Sequence, residues 1–195
     1  MNNLLLYAPA LRACAVATRA DVHNLSHIRV EPHGDRFRYV ACDGHILLAV
    51  EAPGPLELLM DLESPEHRIH IPTSALPELV PSTRLMEIAV DGTQFLVDPG
   101  FPDYRRLVGP LKGKEPIGCL SLGTAVGKKV IRIAELLGAA SVRLQSIGKN
   151  QACSLQMDMG EVQAYGLVMP VVTQRTWQSP EEIAAWFDVK DQAAS

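Results

Sequence analysis

Val40-Ala41-Cys42-Asp43-Gly44-His45-Ile46-Leu47-Leu48-Ala49 reads as two β-strands meeting at a tight turn. Asp-Gly supplies residues that accept the positive φ of a short hairpin connection, and the apolar runs on either side are the strands. His45 follows at once, so an imidazole is held beside the turn. Two later stretches are unlike ordinary core filler: Gly100-Phe101-Pro102-Asp103-Tyr104-Arg105-Arg106-Leu107 and Gly166-Leu167-Val168-Met169-Pro170. Folded against the hairpin, the three pieces would line one apolar pocket suited to a peptide from a partner protein.

Outward from the hairpin, the order of elements is β-α-β-β-β. Residues 3–7 form a short apolar strand. Residues 8–19 form an Ala-rich helix with Pro9 in its first turn, where proline is tolerated. Leu11, Cys14, Ala15 and Thr18 share one face of that helix, and Arg12 and Arg19 another. A strand is expected over 24–31, a turn over 32–35, and the two hairpin strands over 36–42 and 46–51. After a loop rich in proline at 52–66 the order repeats. A strand spans 67–71, and a short helix 73–79 is capped by Thr73 or Ser74 and ended by Pro81. Strands 84–90 and 93–97 flank a second turn at Asp91-Gly92, and a loop covers 98–110.

A third round brings a strand at 117–122, a helix at 124–137 and strands at 140–147, 152–159 and 162–169. This helix is the clearest in the chain. Val126, Val130, Ile133, Ala134 and Leu137 recur at core spacing, Thr124 is placed to cap it and Gly138 to end it. Three βαβββ units of roughly 50 residues each define an α+β fold built by repetition. The tail at 173–195 is different. Ser179-Pro180-Glu181-Glu182 is a capping box, and Ile183, Trp186 and Phe187 make a short amphipathic helix that either packs on the body or engages a partner.

At 195 residues, 47% hydrophobic and 21% charged, the chain can bury a core as one large domain or two small ones. A net charge of -4 exerts no global pull on nucleic acid and leaves room only for a local basic face. Cys14, Cys42, Cys119 and Cys153 lie far apart without C-x-x-C spacing and read as reduced core thiols of a cytosolic protein. Met1-Asn2-Asn3-Leu4 carries no basic segment and no apolar run approaches the ~20 residues of a membrane span, so neither a signal peptide nor a membrane partner is expected.

The phosphate-cradling, dinucleotide, nucleophile-elbow and zinc-protease motifs are all missing. Cys42 and His45 sit too close across a tight turn to serve as nucleophile and base. His67 and His70 point to opposite faces of a strand, and His23 and His27 have no neighbouring cysteine. No catalytic residue, metal or cofactor is therefore expected. Lys128, Arg132 and Glu135 share one face of the 124–137 helix with Lys129 beside them. Such a face neutralises phosphates without reading bases, and its plain alternative is a solvated surface.

Cys42-Asp43-Gly44-His45, Phe101-Pro102-Asp103-Tyr104-Arg105-Arg106 and Val168-Met169-Pro170 resemble, in the same order, three signature stretches of the bacterial beta sliding clamp, the processivity subunit of the replicative DNA polymerase. The resemblance covers residues 4–171 and implies the DNA-clamp fold of repeated βαβββ half-domains. It divides the chain into a complete clamp-like domain at 1–110, similar to the family's middle domain, a half-domain at 111–172, similar to the second half of its last domain, and the tail. It implies a peptide-binding groove made of Cys42, Gly44, His45, Leu47, Pro102, Arg106, Leu107, Leu167, Met169, Pro170 and Val171, with Ser154 a weaker match. It implies DNA contact through Arg12, Arg19, Lys128, Lys129 and Arg132. The expected partners are a DNA polymerase, clamp loader or repair proteins carrying short clamp-binding peptides, and double-stranded DNA held without sequence preference. A cytoplasmic homo-oligomer follows from the same resemblance.

The chain departs from the pattern in several places. Cys42 stands where the family has threonine and Ile46 where it has arginine. Three half-domains replace the family's six, so four copies would be needed for a ring of twelve. Two functions fit: a clamp-like replication accessory protein that encircles DNA as an oligomer, and a decoy that captures the same partners without encircling DNA.

Overall fold

Residues 36–53 fold as the hairpin their pattern predicts, Arg36–Cys42 against Ile46–Pro53, with Cys42 opposite Leu47 and Arg36 opposite Pro53. The computed structural model describes residues 2–53, 68–76, 84–90, 99–108, 121–146, 152–160 and 162–170. Among them the chain runs β1 (Asn2–Tyr7), α1 (Ala8–Val16), β2 (His27–His33), β3 (Arg36–Cys42), β4 (Ile46–Pro53), β5 (Ile69–Pro72) and β6 (Leu85–Val90). It continues through α2 (Tyr104–Val108), α3 (Thr124–Leu137), β7 (Ser141–Ser146), β8 (Cys153–Met159) and β9 (Val162–Val168). Short 3-10 turns sit at His23–Leu25 and Thr73–Ala75.

Every pairing among the described residues is antiparallel. β1 pairs with β6, and a seven-stranded sheet runs β5-β2-β3-β4-β9-β8-β7. The sheet passes from the first βαβββ unit into the third without a break, because β4 lies directly against β9. Both long helices cover one face. Leu11 and Cys14 of α1 and Val130, Ile133 and Ala134 of α3 pack with Phe37, Tyr39, Ile46, Leu48, Val50, Leu155 and Val168 in the main core. The alternate residues Val40, Cys42, Leu47 and Leu167 point to the other face and join a smaller cluster with Phe101 and Tyr104. The apolar run at 46–50 is near-continuous because both faces of the sheet are covered there.

Local chemistry explains where elements stop. The N–H of Tyr7 donates to the Tyr39 hydroxyl at 2.9 Å and that of Ala8 to the Arg84 carbonyl at 3.0 Å, so tertiary partners satisfy the start of α1 in place of a side-chain cap. Helix α1 ends at Val16, short of the expected Arg19; the Thr18 hydroxyl bonds the Ala15 carbonyl at 2.8 Å, and the Arg19 N–H turns to Leu25 O at 2.9 Å. The first strand-to-strand turn sits at Gly34, φ 63°, and β2 carries on through Pro32 and His33 where the turn was expected. Helix α3 matches its predicted span, with Gly123 and not Thr124 at the cap position. Gly138 takes φ 68° and the Ala139 N–H returns to Ala134 O at 2.9 Å, a left-handed closure.

The helix expected at 73–79 is only a 3-10 turn where it is described. Leu76 is extended, and the Thr73 hydroxyl and N–H both donate to Ser26 O at 3.0 Å, tying the turn to β2. The loop expected at 98–110 contains α2. The strands expected at 93–97 and 117–122, the second Asp-Gly turn, the boundary at 110/111 and the tail helix lie outside the described residues.

Gly166 has no such turn to make. A Cβ there would stand 2.3 Å from the Leu47 carbonyl oxygen on the neighbouring strand, a backbone atom that cannot swing away. Gly166→Ala is expected to force β4 and β9 apart and to lower stability by more than about 2 kcal/mol, read as a drop in the thermal unfolding midpoint relative to Ala164→Gly on the same strand.

Candidate functional site

The outer face of the sheet, away from the helices, is ordered in rows by the strand register. Gln145, Ser154, Leu167, Leu47 and Cys42 stand side by side across five strands. In the next row come Arg143, Gln156, Tyr165, Ala49, Val40, Arg29 and His70. A third row places Glu51, Arg38 and Glu31 together. The face is therefore apolar at the hairpin end and charged four residues away along β3 and β4.

The Phe101–Val108 segment lies over this face. Phe101 and Tyr104 are buried against Val40, Cys42, Leu47 and Leu167. The Tyr104 hydroxyl donates to Glu31 in a very short bond, and Arg105 Nη2 reaches the same carboxylate at 2.6 Å while its guanidinium stacks 4.9 Å above the Tyr104 ring. Arg38 binds Glu51 at 2.5 Å and donates to the Tyr104 hydroxyl at 3.4 Å, and Arg29 lies 3.4 Å from Glu31 and 5.7 Å from the centre of the Phe101 ring. The buried Glu31 and the partly buried Glu51 thus anchor three arginines and one tyrosine. Burial raises the Tyr104 hydroxyl above its ordinary value, with Glu31 adding to the rise, so the phenol stays a donor.

The turn is built differently from its sequence reading. Gly44 takes the positive φ, 91°, while Asp43 acts through its side chain. One carboxylate oxygen accepts the N–H groups of His45 at 2.8 Å and Ile46 at 2.7 Å, and the other accepts Lys129 Nζ at 2.6 Å. Asp43 is only 4% exposed. Burial pushes its carboxyl up, and the Lys129 ammonium and the two backbone donors more than offset that, leaving it below the ordinary carboxylate value. The His45 carbonyl then accepts the Met169 N–H at 2.8 Å, which locks the third signature stretch to the turn.

The expected groove residues are brought together in part as floor and in part as rim. Cys42, Leu47 and Leu167 are buried in the floor, with Ser154 half-buried beside Leu167. Gly44, His45 and Met169 are exposed on the rim, and Pro102 and Pro170 are half-buried. Arg106 and Leu107 project from α2, with Arg106 paired to Asp103 at 3.1 Å. Val171 lies outside the described residues. Met169 and Leu107 leave 44% and 48% of their surfaces in water, an unusual state for large apolar side chains next to a buried apolar floor. Burial raises the Cys42 thiol, and the Asp43 charge adds to that, so a nucleophilic thiolate is disfavoured.

The residues expected to meet DNA fare less evenly. Arg12 is 6% exposed, inside the packing of α1, which removes it from any phosphate-contacting surface. Arg19 pairs with Asp21 at 2.9 Å, Lys129 with Asp43 and Arg132 with Glu135 at 3.1 Å, while Lys128 is exposed on α3. The sequence reading placed Arg12 on a separate face from the core residues and missed that α1 is covered by α3 as well as by the sheet. A polar depression of about 360 Å³ lies elsewhere on the outer face, over β7 to β9, and includes Arg143, Gln156, Gln163 and Tyr165. Among the described residues no group of histidine, cysteine and acidic side chains could hold a metal, and no helix is long and apolar enough to cross a membrane.

The chain superimposes on the DNA polymerase sliding clamp of Pseudomonas aeruginosa with a TM-score of 0.54 at 15% identity, covering 88% of this chain and 67% of that one. It superimposes on the DNA polymerase III subunit beta of the same organism with a TM-score of 0.53 at 15% identity, covering 89% and 66%. A third match, that subunit bound to griselimycin, gives 0.50 at 17% identity over 88% and 66%. The fold is therefore the sliding-clamp fold, and the chain spans about two thirds of the length of these clamps. No family model matches the sequence, and no curated protein does.

The Asp43–Lys129 pair makes a testable contribution to stability. Asp43 has a carboxyl lowered by folding, so its contribution is complete above about pH 4 and is lost as pH falls through the lowered value. Asp43→Asn keeps the turn acceptor and loses the charge pair. It is expected to cost about 1 kcal/mol near neutral pH, since Lys129 is partly solvated, and the gap to wild type should shrink in acid. Urea unfolding of both proteins at neutral pH and below about pH 4 checks this. Tyr104→Phe strips Glu31 of a donor at a buried site and is expected to cost about 1 to 2 kcal/mol, with faster proteolysis around residues 100–108.

Proposed function

We propose that this chain is a non-catalytic, sliding-clamp-like replication accessory protein whose outer-face groove receives short peptides from polymerase, clamp-loader or repair partners. The observation that carries the reading is the convergence of three stretches distant in sequence on one apolar floor with an exposed apolar rim. Cys42, Leu47 and Leu167 form the floor, Phe101 and Tyr104 wall it, and His45 and Met169 are joined backbone to backbone at its edge. Leu, Met and Pro side chains adapt to more than one apolar ligand, and the exposed His45 and Arg106 are placed to meet a peptide's polar groups. Double-stranded DNA is the second partner, met by the exposed Lys128 and by Arg132 of α3 in an assembly of several copies. Such contacts involve phosphate alone and weaken steeply with salt.

A second reading draws on the charges. Arg12 is buried and Lys129 and Arg132 are already paired with carboxylates, so the helix face offers little free positive charge. On that reading the protein captures clamp-binding peptides without encircling DNA.

The test of the groove is fluorescence anisotropy with a labelled clamp-binding peptide. Met169→Asp and Leu107→Asp are each expected to weaken binding more than tenfold, about 1.4 kcal/mol or more, while leaving the unfolding midpoint unchanged because both side chains are solvent-exposed. Binding that tolerates both substitutions would sink the groove. Polymerase processivity on primed circular DNA separates the two readings: stimulation supports encirclement, and peptide binding without stimulation supports capture alone.

A further inference from the structure

The outer face carries arginines in two states. Arg29 and Arg38 of the sheet, and Arg105 and Arg106 of the segment above it, each pair with a carboxylate: Glu31, Glu51 or Asp103. Arg143 of β7 stands in the same row as Arg29, is exposed, and has no such partner among the described residues. It lies in the polar depression of about 360 Å³ over β7 to β9, with Gln156, Gln163 and Tyr165. That depression adjoins the groove. Tyr165 is two residues before Leu167 on β9 and Gln156 two residues after Ser154 on β8, so both point to the same side as the floor. Two other sides of the floor are taken. Phe101 and Tyr104 wall it over β3 and β4, and the His45–Met169 backbone bond closes the hairpin end. Toward β7 the face stays open among the described residues, with Gln156, Gln163 and Tyr165 exposed.

We propose that the depression is a flanking subsite of the peptide groove, and that it takes an extended polypeptide segment with an acidic side chain, Asp or Glu, three to four residues from the apolar anchor. The inference rests on the groove reading and names the kind of peptide the groove prefers.

Geometry sets the spacing. Arg143 is two residues along the strands and two strands across from Leu167, about 12 Å, which an extended chain spans in about three to four residues. Chemistry sets the rest of the flank. Gln156 and Gln163 each present an amide donor and an amide acceptor, the two functions an extended backbone needs to meet. The Tyr165 hydroxyl donates to Gln163 Oε1 at 3.3 Å, and 45% of the tyrosine surface stays in water as a flat platform for peptide side-chain stems. Asp158 is the other charge lining the depression. It sits one pair further from the floor on β8, exposed and without a basic partner among the described residues. It repels a carboxylate that runs past Arg143, so the acidic position is confined to the Arg143 row.

Fluorescence anisotropy on the whole chain tests this. The probes are the labelled clamp-binding peptide and versions of it extended by a Gly-Ser flank, on either side of the apolar core, with one Glu or one Gln four residues away. On one of the two sides the Glu peptide is expected to bind about threefold to fivefold tighter than its Gln counterpart, and that side gives the direction in which the peptide lies. The advantage should vanish in about 1 M salt. A Glu moved to six residues from the core passes Arg143 and should show none. In a folded Arg143→Glu protein the advantage should pass from the Glu peptide to one with Lys at the same place. Equal affinity for the Glu and Gln peptides on both sides, an advantage kept at six residues, or one that survives Arg143→Glu would each overturn the proposal. The failures separate: a core peptide that binds with no effect of the flank counts against the subsite alone, and binding by none of the peptides counts against the groove and the subsite together.

Discussion

The antiparallel ladder between β4 and β9 is the constraint on which the rest depends. It joins strands more than a hundred residues apart, and its register places Leu47 opposite Leu167 and Ile46 opposite Val168. The first pair faces outward into the small apolar cluster and the second faces the helices in the main core. A slip of one residue would exchange the two faces and dissolve both clusters at once. The approach of Gly166 to the Leu47 carbonyl shows how closely the strands must come for that register to hold.

Polar groups hold the 100–108 segment above that apolar cluster. Glu31 is buried and Glu51 partly buried among arginines, and the Tyr104 hydroxyl shares the Glu31 carboxylate with Arg105. Paired, these charges hold the 100–108 segment against the sheet. Left unpaired, the buried Glu31 carboxylate would be costly, so the segment and the sheet face depend on one another. Asp43 does the same at the other end of the groove. Its carboxylate closes the turn and grips Lys129, which ties the hairpin to α3, and the turn in turn holds Met169 through the His45 carbonyl. The turn, Met169 and α3 are thus connected through one buried side chain.

Much of this was readable beforehand because it is local. The hairpin strands, the span of α3, its glycine closure and the strands β7, β8 and β9 follow from alternation, helical spacing and turn residues within a few positions of one another. The three signature stretches were recognisable for the same reason. What escaped was long-range. Where it is described, the helix expected at 73–79 is a 3-10 turn over Thr73–Ala75, with Thr73 bonded to Ser26 far along the chain. Arg12 read as a surface charge and is buried in the fold, and Lys129 read as a phosphate contact and is bonded to Asp43. None of these partners lies within reach along the chain.

The sequence by itself determined the repeated βαβββ order, the places where strands turn, and the residue types able to make an apolar groove, since each depends on interactions between near neighbours. The tertiary structure alone decided that β4 meets β9, that Glu31 receives Tyr104 and Arg105, and that Asp43 receives Lys129. Those pairings are chosen by burial and register among elements far apart in the chain, where an unpaired charge or a shifted strand would be too costly to keep.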